Sequence, residues 1–118
     1  MLAYWQLRDT VFMEHFAVAQ RCRNKGIGTT LLTAFLSSQA MPVVLEAEPP
    51  DTHLAARRIA FYQRHGFHLT DYAYVQPCLT QGEEDVALRL MTYPTCLQKT
   101  ALLDFQREVY REVYGVLA

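Results

Sequence analysis

Apolar residues recur with different periods along the chain, and each change of period marks an element. Residues 2–8 ("LAYWQLR") carry the aromatic and apolar content of a strand. Arg8-Asp9-Thr10 reads as a turn, and residues 11–18 ("VFMEHFAV") form a second, mostly apolar strand of the kind found at the centre of a sheet. Their close spacing predicts a hairpin. After Gly26 and Gly28 the period becomes helical: Ile27, Leu31, Ala34 and Phe35 share a stripe, with Leu32 and Leu36 beside it. The stretch from Ser37 to Pro42 ends that helix, because proline disfavours helical geometry in the residue before it. Residues 43–48 ("VVLEAE") read as a third strand, stopped by Pro49-Pro50. Asp51 or Thr52 can cap a helix running to about His65, with Gly66 at its C′ position. Residues 67–75 and 85–92 alternate as two further strands and are expected to pair as a hairpin. From Thr95 a last helix carries Leu102, Phe105, Val109, Val113 and Val116 on one face.

The predicted order is β-β-α-β-α-β-β-α, an α+β fold with helices packed in three layers on a mixed sheet. The strand–helix–strand unit over 11–48 is expected to be a right-handed parallel crossover.

Composition narrows the function classes. The 118 residues suit one domain, and 51% of them are hydrophobic, enough for a core. Charged residues make up 19% and the net charge is -1, which gives no electrostatic footprint for nucleic acid and no basic patch for a membrane surface. No apolar run approaches the roughly 18 residues that a membrane span needs. The N-terminus lacks the layout of a secretory signal. The three cysteines, Cys22, Cys78 and Cys96, show no CxxC spacing, which argues against a disulfide framework and against a metal site. The expected compartment is therefore cytoplasmic.

Candidate chemistry centres on "RNKGIG". Gly26 and Gly28 fall where the second strand gives way to a helix. The first turn of a helix leaves N–H groups without internal partners, and its dipole adds partial positive charge. Together these make an anion site. Arg21, Arg23 and Lys25 add full charges, and Thr29-Thr30 add hydroxyls. On these residues alone a plain turn and a phosphate loop are equally open. Two phosphate loops are excluded: a dinucleotide fingerprint needs a third glycine where residue 31 is Leu, and a P-loop needs a Gly-Lys-Ser/Thr triplet that does not occur.

What remains resembles the acetyl-CoA loop of the GNAT N-acetyltransferase superfamily, which reads Arg/Gln-x-x-Gly-x-Gly/Ala after a strand ending in Val. Here Val18 precedes Arg23-Asn24-Lys25-Gly26-Ile27-Gly28. A second family motif, Tyr-x-x-x-Gly-Phe, matches Tyr62-Gln63-Arg64-His65-Gly66-Phe67. The resemblance covers roughly residues 1–94 of a single domain, with 95–118 as a C-terminal amphipathic helix. There are two departures. The chain starts at what would be the family's third strand, and Ala55 stands where the family often has Asn.

The resemblance implies an acyltransferase that moves an acetyl group from acetyl-CoA to a primary amine, on a small molecule or a peptide, by direct attack. The backbone of Phe16, Ala17 and Val18 would hold the pantetheine arm. The N–H groups of Arg23, Asn24, Lys25, Gly26, Ile27, Gly28 and Thr29 would hold the pyrophosphate. Tyr62 would protonate the leaving thiolate, and a backbone amide near Phe16 would meet the oxyanion. Glu14 is the first choice for the base, with Glu46 and Glu48 as alternatives. Two rival readings stand beside this one: a non-catalytic or partially degenerate GNAT-fold module that binds CoA, and a homodimer or accessory subunit that uses the apolar stripe of the last helix.

Overall fold

Nine elements follow one another in the computed structural model, which describes residues 2–16, 26–77 and 85–116. They are β1 (Leu2–Gln6), β2 (Val11–Phe16), α1 (Ile27–Ser37), β3 (Val43–Ala47), α2 (His53–Arg64), β4 (His68–Leu69), β5 (Tyr74–Gln76), β6 (Val86–Tyr93) and α3 (Lys99–Glu112). The sheet runs β1-β2-β3-β6-β4, with β5 also paired to β6. The β1–β2 hairpin is antiparallel, and the Leu7 N–H closes its turn on the Thr10 carbonyl at 2.9 Å. β2 and β3 are parallel, as a strand–helix–strand unit requires, and β3, β4 and β5 all run antiparallel to β6. The sheet is therefore mixed, with helices on both faces.

Strand alternation divides the core in two. Val11, Met13, Val43, Leu45 and Met91 face α1 and α2, where they meet Leu32, Leu36, Ile59 and Phe67. Phe12, Val44 and Leu90 point the other way and meet Tyr74 and the α3 residues Leu102, Phe105 and Val109. Burial on both faces is why β2 and β3 read as nearly unbroken apolar runs. The stripe on the last helix thus covers the chain's own sheet. Among the described residues, no helix is long and apolar enough to cross a membrane.

Three expectations change in detail. The buried face of α1 is centred on Leu32 and Leu36, while Ile27 and Leu31 are 43% and 36% exposed. At about 100° per residue, Leu31 sits a quarter-turn off the packed stripe. The last helix begins at Lys99 rather than near Thr95. The strand expected over 67–75 is broken in two. The Thr70 N–H and Oγ1 both donate to the Leu90 carbonyl, at 3.0 and 2.9 Å, and the ladder stops there. Continuing the β4 register from Leu69↔Met91 would set residue 72 opposite Leu88, but Tyr74 occupies that place. Two extra residues loop out as in a β-bulge. As a result Tyr74, not Tyr72, enters the α3-side core, and the Tyr72 hydroxyl donates to Gln106 of α3 at 3.0 Å.

Candidate active site

β2 and β3 pair at only two positions, Val11↔Val43 and Phe12↔Val44, although both strands continue. Past those pairs the neighbours part into a wedge, with Met13 to Phe16 on one side and Leu45 to Ala47 on the other. A bulge accompanies the parting. β1 pairs Ala3 with His15 and Tyr4 with Met13, so Glu14 is an extra residue on β2. A bulge bends its strand and re-aims the side chains beyond it. Strict alternation would put Phe16 on the face of Phe12. It packs instead with the α1–α2 cluster and stacks on Phe61 at 6.2 Å. Among the described residues no strand pairs with the parted edges, so an extended ligand could bond their backbone groups as a further strand would.

The two faces of the wedge differ chemically. On the α2 side lie Met13, Leu45, Phe61 and Tyr62. Tyr62 is half-buried between the rings of Phe61 and Phe67, each 5.5 Å away and edge-on. Burial raises its pKa, against a smaller lowering by Arg58. Its hydroxyl makes no hydrogen bond to another described residue. On the α3 side lie Glu14 and Glu46. Glu14 is exposed and accepts a hydrogen bond from the Trp5 indole N–H at 3.0 Å. Glu46 is half-buried. It accepts from the Tyr74 hydroxyl, from Gln76 Nε2 at 3.2 Å and from the Tyr114 hydroxyl, which lies 2.7 and 2.9 Å from its two oxygens. Burial raises the Glu46 pKa and outweighs the lowering by these three donors, and the Glu14 charge pushes it further up. Glu48 instead sits on the surface, 3.6 Å from Arg58, a pair of small energetic consequence.

Thr52 caps α2 by accepting the Ala55 N–H at 3.1 Å, and Ala55 itself is buried. The far end of α2 explains the motif that contains Tyr62. The Phe67 N–H bonds the Tyr62 carbonyl at 3.1 Å and the Gly66 N–H bonds the Gln63 carbonyl at 3.1 Å, which is a Schellman motif. Its accompanying apolar contact is the Tyr62–Phe67 ring pair. Gly66 has φ +95, and an added Cβ would stand 3.0 Å from Tyr93 Cε2. Gly66→Ala is accordingly expected to destabilise the fold by about 2 kcal/mol through backbone strain and this clash. A lower denaturation midpoint with an unchanged m-value would report it.

At the other motif, Gly26 is the N-cap of α1, with φ 75, and no side chain caps the helix. The first helical bond runs from the Thr30 N–H to the Gly26 carbonyl at 3.0 Å, which leaves the N–H groups of Ile27, Gly28 and Thr29 without helical partners. No acidic residue lies in the first turn, and an added Cβ on Gly26 would meet nothing within 4 Å. The end is therefore open to an anion.

The two motifs touch. His65 Nδ1 lies 2.8 Å from the Phe61 carbonyl and Nε2 lies 3.2 Å from Thr29 Oγ1. A carbonyl only accepts, so Nδ1 carries the proton, and in a neutral ring Nε2 accepts from Thr29. Of the expected site residues, Phe16 lies beside the wedge, Gly26, Ile27, Gly28 and Thr29 form the α1 terminus, and Tyr62 and Glu14 stand on opposite faces. Ala17, Val18, Arg23, Asn24 and Lys25 lie outside the described residues. Sequence reasoning missed Tyr74, Gln76 and Tyr114 around Glu46, since no local spacing links strand residue 46 to residue 114.

Residues 1–69 match the family model described as an acetyltransferase (GNAT) domain. A structure described as a GNAT-family acetyltransferase from Bacteroides thetaiotaomicron superposes with a TM-score of 0.90 at 34% identity, over 98% of this chain and 65% of that one. Ard1 from Thermoplasma volcanium aligns with a TM-score of 0.55 at 26% identity, over 77% of this chain and 59% of its own. Arabidopsis thaliana Naa50, solved with the bisubstrate analogue CoA-Ac-MVNAL, aligns with a TM-score of 0.56 at 23% identity, over 77% and 62%. At that identity the likeness concerns the fold. The chain thus spans less than two thirds of the length of each of these relatives. No curated protein matches it.

Proposed function

We propose that this chain, which belongs to the GNAT acetyltransferase family, transfers an acetyl group from acetyl-CoA to a primary amine of a small molecule or peptide. The observation that carries this reading is the parting of β2 and β3 after two pairs, with an uncapped helix N-terminus nearby and a phenol and a carboxylate on opposite faces.

The residues fit an acyl-CoA. The open space over Gly26 and the amides of Ile27, Gly28 and Thr29, which have no helical partners, suit a pyrophosphate, and the parted edges suit an amide-bearing arm. Bound acetyl-CoA supplies an activated thioester carbon. The protein then has three tasks. A backbone N–H at the bulge near Phe16 donates to the oxygen that gains charge. Tyr62 holds a proton on its hydroxyl for the departing sulfur, as any phenol does in the neutral range, and burial raises its pKa further. A carboxylate on the α3 side takes the proton that the amine loses. Of the three expected carboxylates, Glu46 suits this task best, because burial raises it toward the working range of a base. Glu14, the first expectation, is exposed, and Glu48 is engaged with Arg58 at the surface.

The test is titration with acetyl-CoA, followed by amide shifts, and then thiol release with a panel of amines. Gly26, Ile27 and Gly28 should shift, with a smaller response at Phe16. Absence of binding at millimolar acetyl-CoA would sink the reading. Binding without thiol release would favour a non-catalytic CoA-binding module instead.

A further inference from the structure

We propose that Tyr114, supplied by the turn after α3, is a positioning residue for Glu46, holding the carboxylate on the α3 side of the wedge. The inference rests on the acetyltransferase reading above and adds the C-terminal helix to the reaction centre.

Proton accounting supports it. A carboxylate offers about four acceptor sites. The Tyr74 hydroxyl fills one. Gln76 has two amide protons: one goes to Glu46 Oε1 at 3.2 Å and the other to the Tyr114 hydroxyl oxygen at 3.1 Å. Because Gln76 donates to that oxygen, the single Tyr114 proton must point onward to Glu46, where it lies between the two oxygens at 2.7 and 2.9 Å. Three donors thus hold the two oxygens, with the Tyr114 proton shared between them.

The tail that carries Tyr114 is fixed to suit. The Tyr114 N–H returns to the Val109 carbonyl at 3.1 Å, and the Val116 N–H returns to the Tyr110 carbonyl at 2.8 Å around Gly115 at φ +70. The Tyr110 hydroxyl donates to the Val75 carbonyl, and Tyr72 holds Gln106, so α3 is tied to the strand that bears Gln76. The titratable groups facing Glu46 are Glu14 from β2, Tyr74 from β5, and Tyr110 and Tyr114 from α3 and its end. The charge of Glu14 opposes ionisation of Glu46, while the Tyr74 and Tyr114 donors favour it.

Tyr114→Phe keeps the ring and removes only the hydroxyl. In the variant, kcat at neutral pH should fall on the order of tenfold, with KM for acetyl-CoA unchanged. The acid limb of the kcat/KM profile should move to higher pH, since the ionised base loses a donor. A carbon-13 titration of the Glu46 carboxyl, which needs no turnover, should move the same way. An active protein in which either the limb or the titration stays put on substitution overturns the proposal. Wild-type protein that binds acetyl-CoA but acetylates no amine overturns the transfer reading itself, and the role of Tyr114 in turnover with it.

Discussion

Tyr62→Phe is expected to lower kcat by about two to three orders of magnitude, the range attributed to a positioned proton donor. Acetyl-CoA affinity should hold, because the hydroxyl makes no hydrogen bond to the described residues and the ring contacts with Phe61 and Phe67 survive. Stability should hold for the same reason: the ring stays in the Schellman contact, and only one oxygen leaves. The sign of the pKa shift adds a second readout. Burial raises the phenol above its ordinary value, so the group stays protonated through the neutral range. Wild-type activity should therefore show no basic limb from Tyr62 below the ordinary phenol range. Stopped-flow or thiol-release kinetics on both proteins, with a thermal melt beside them, would check this. A variant with full kcat would return Tyr62 to the role of a core aromatic.

Phe105→Ala should be the most damaging change to the fold. Phe105 is 1% exposed and meets the fully buried Phe12 edge-on, with ring centroids 5.7 Å apart. Removing such a ring costs about 3–5 kcal/mol through lost transfer energy and the cavity left behind, a large share of the roughly 5–15 kcal/mol that holds a domain together. The effect should spread beyond the core. Loosening α3 releases Tyr114 from Glu46, so any folded variant protein should also show the altered pH profile expected of Tyr114→Phe. Urea denaturation gives the first quantity. A loss under about 1 kcal/mol would mean that α3 does not rest on the sheet in solution.

Local chemistry was the legible part of the sequence. The motif from Tyr62 to Phe67 closes within six residues, so its glycine and its two aromatics could be read as a helix end before any fold was known. The apolar run of β2 foretold a strand at the centre of the sheet. The glycine pair foretold where the first helix begins. Features set by cross-strand register were not legible. "VFMEHFAV" is mostly apolar, and nothing in it marks Glu14 as the extra residue, because a bulge is defined by the partner strand. The choice of Tyr74 over Tyr72 for the core depends on where Thr70 ends a ladder. The apolar residues of α1 covered too much of the helix to fix which side packs. The surroundings of Glu46 were the hardest to foresee, since Tyr114 lies 68 residues away and owes its position to α3 docking on the sheet.

The place of β6 has a consequence for how the chain matures. It is the last strand in sequence yet lies inside the sheet, bonded to β3 along one edge and to β4 and β5 along the other. During synthesis, Val43, Val44 and Leu45 emerge long before their partners Tyr93, Thr92 and Met91. Until then β3 presents a bare apolar edge, the kind of surface that recruits other chains. The sheet therefore closes late, by insertion of a strand into its middle, and the nascent chain is most prone to aggregate between those two moments.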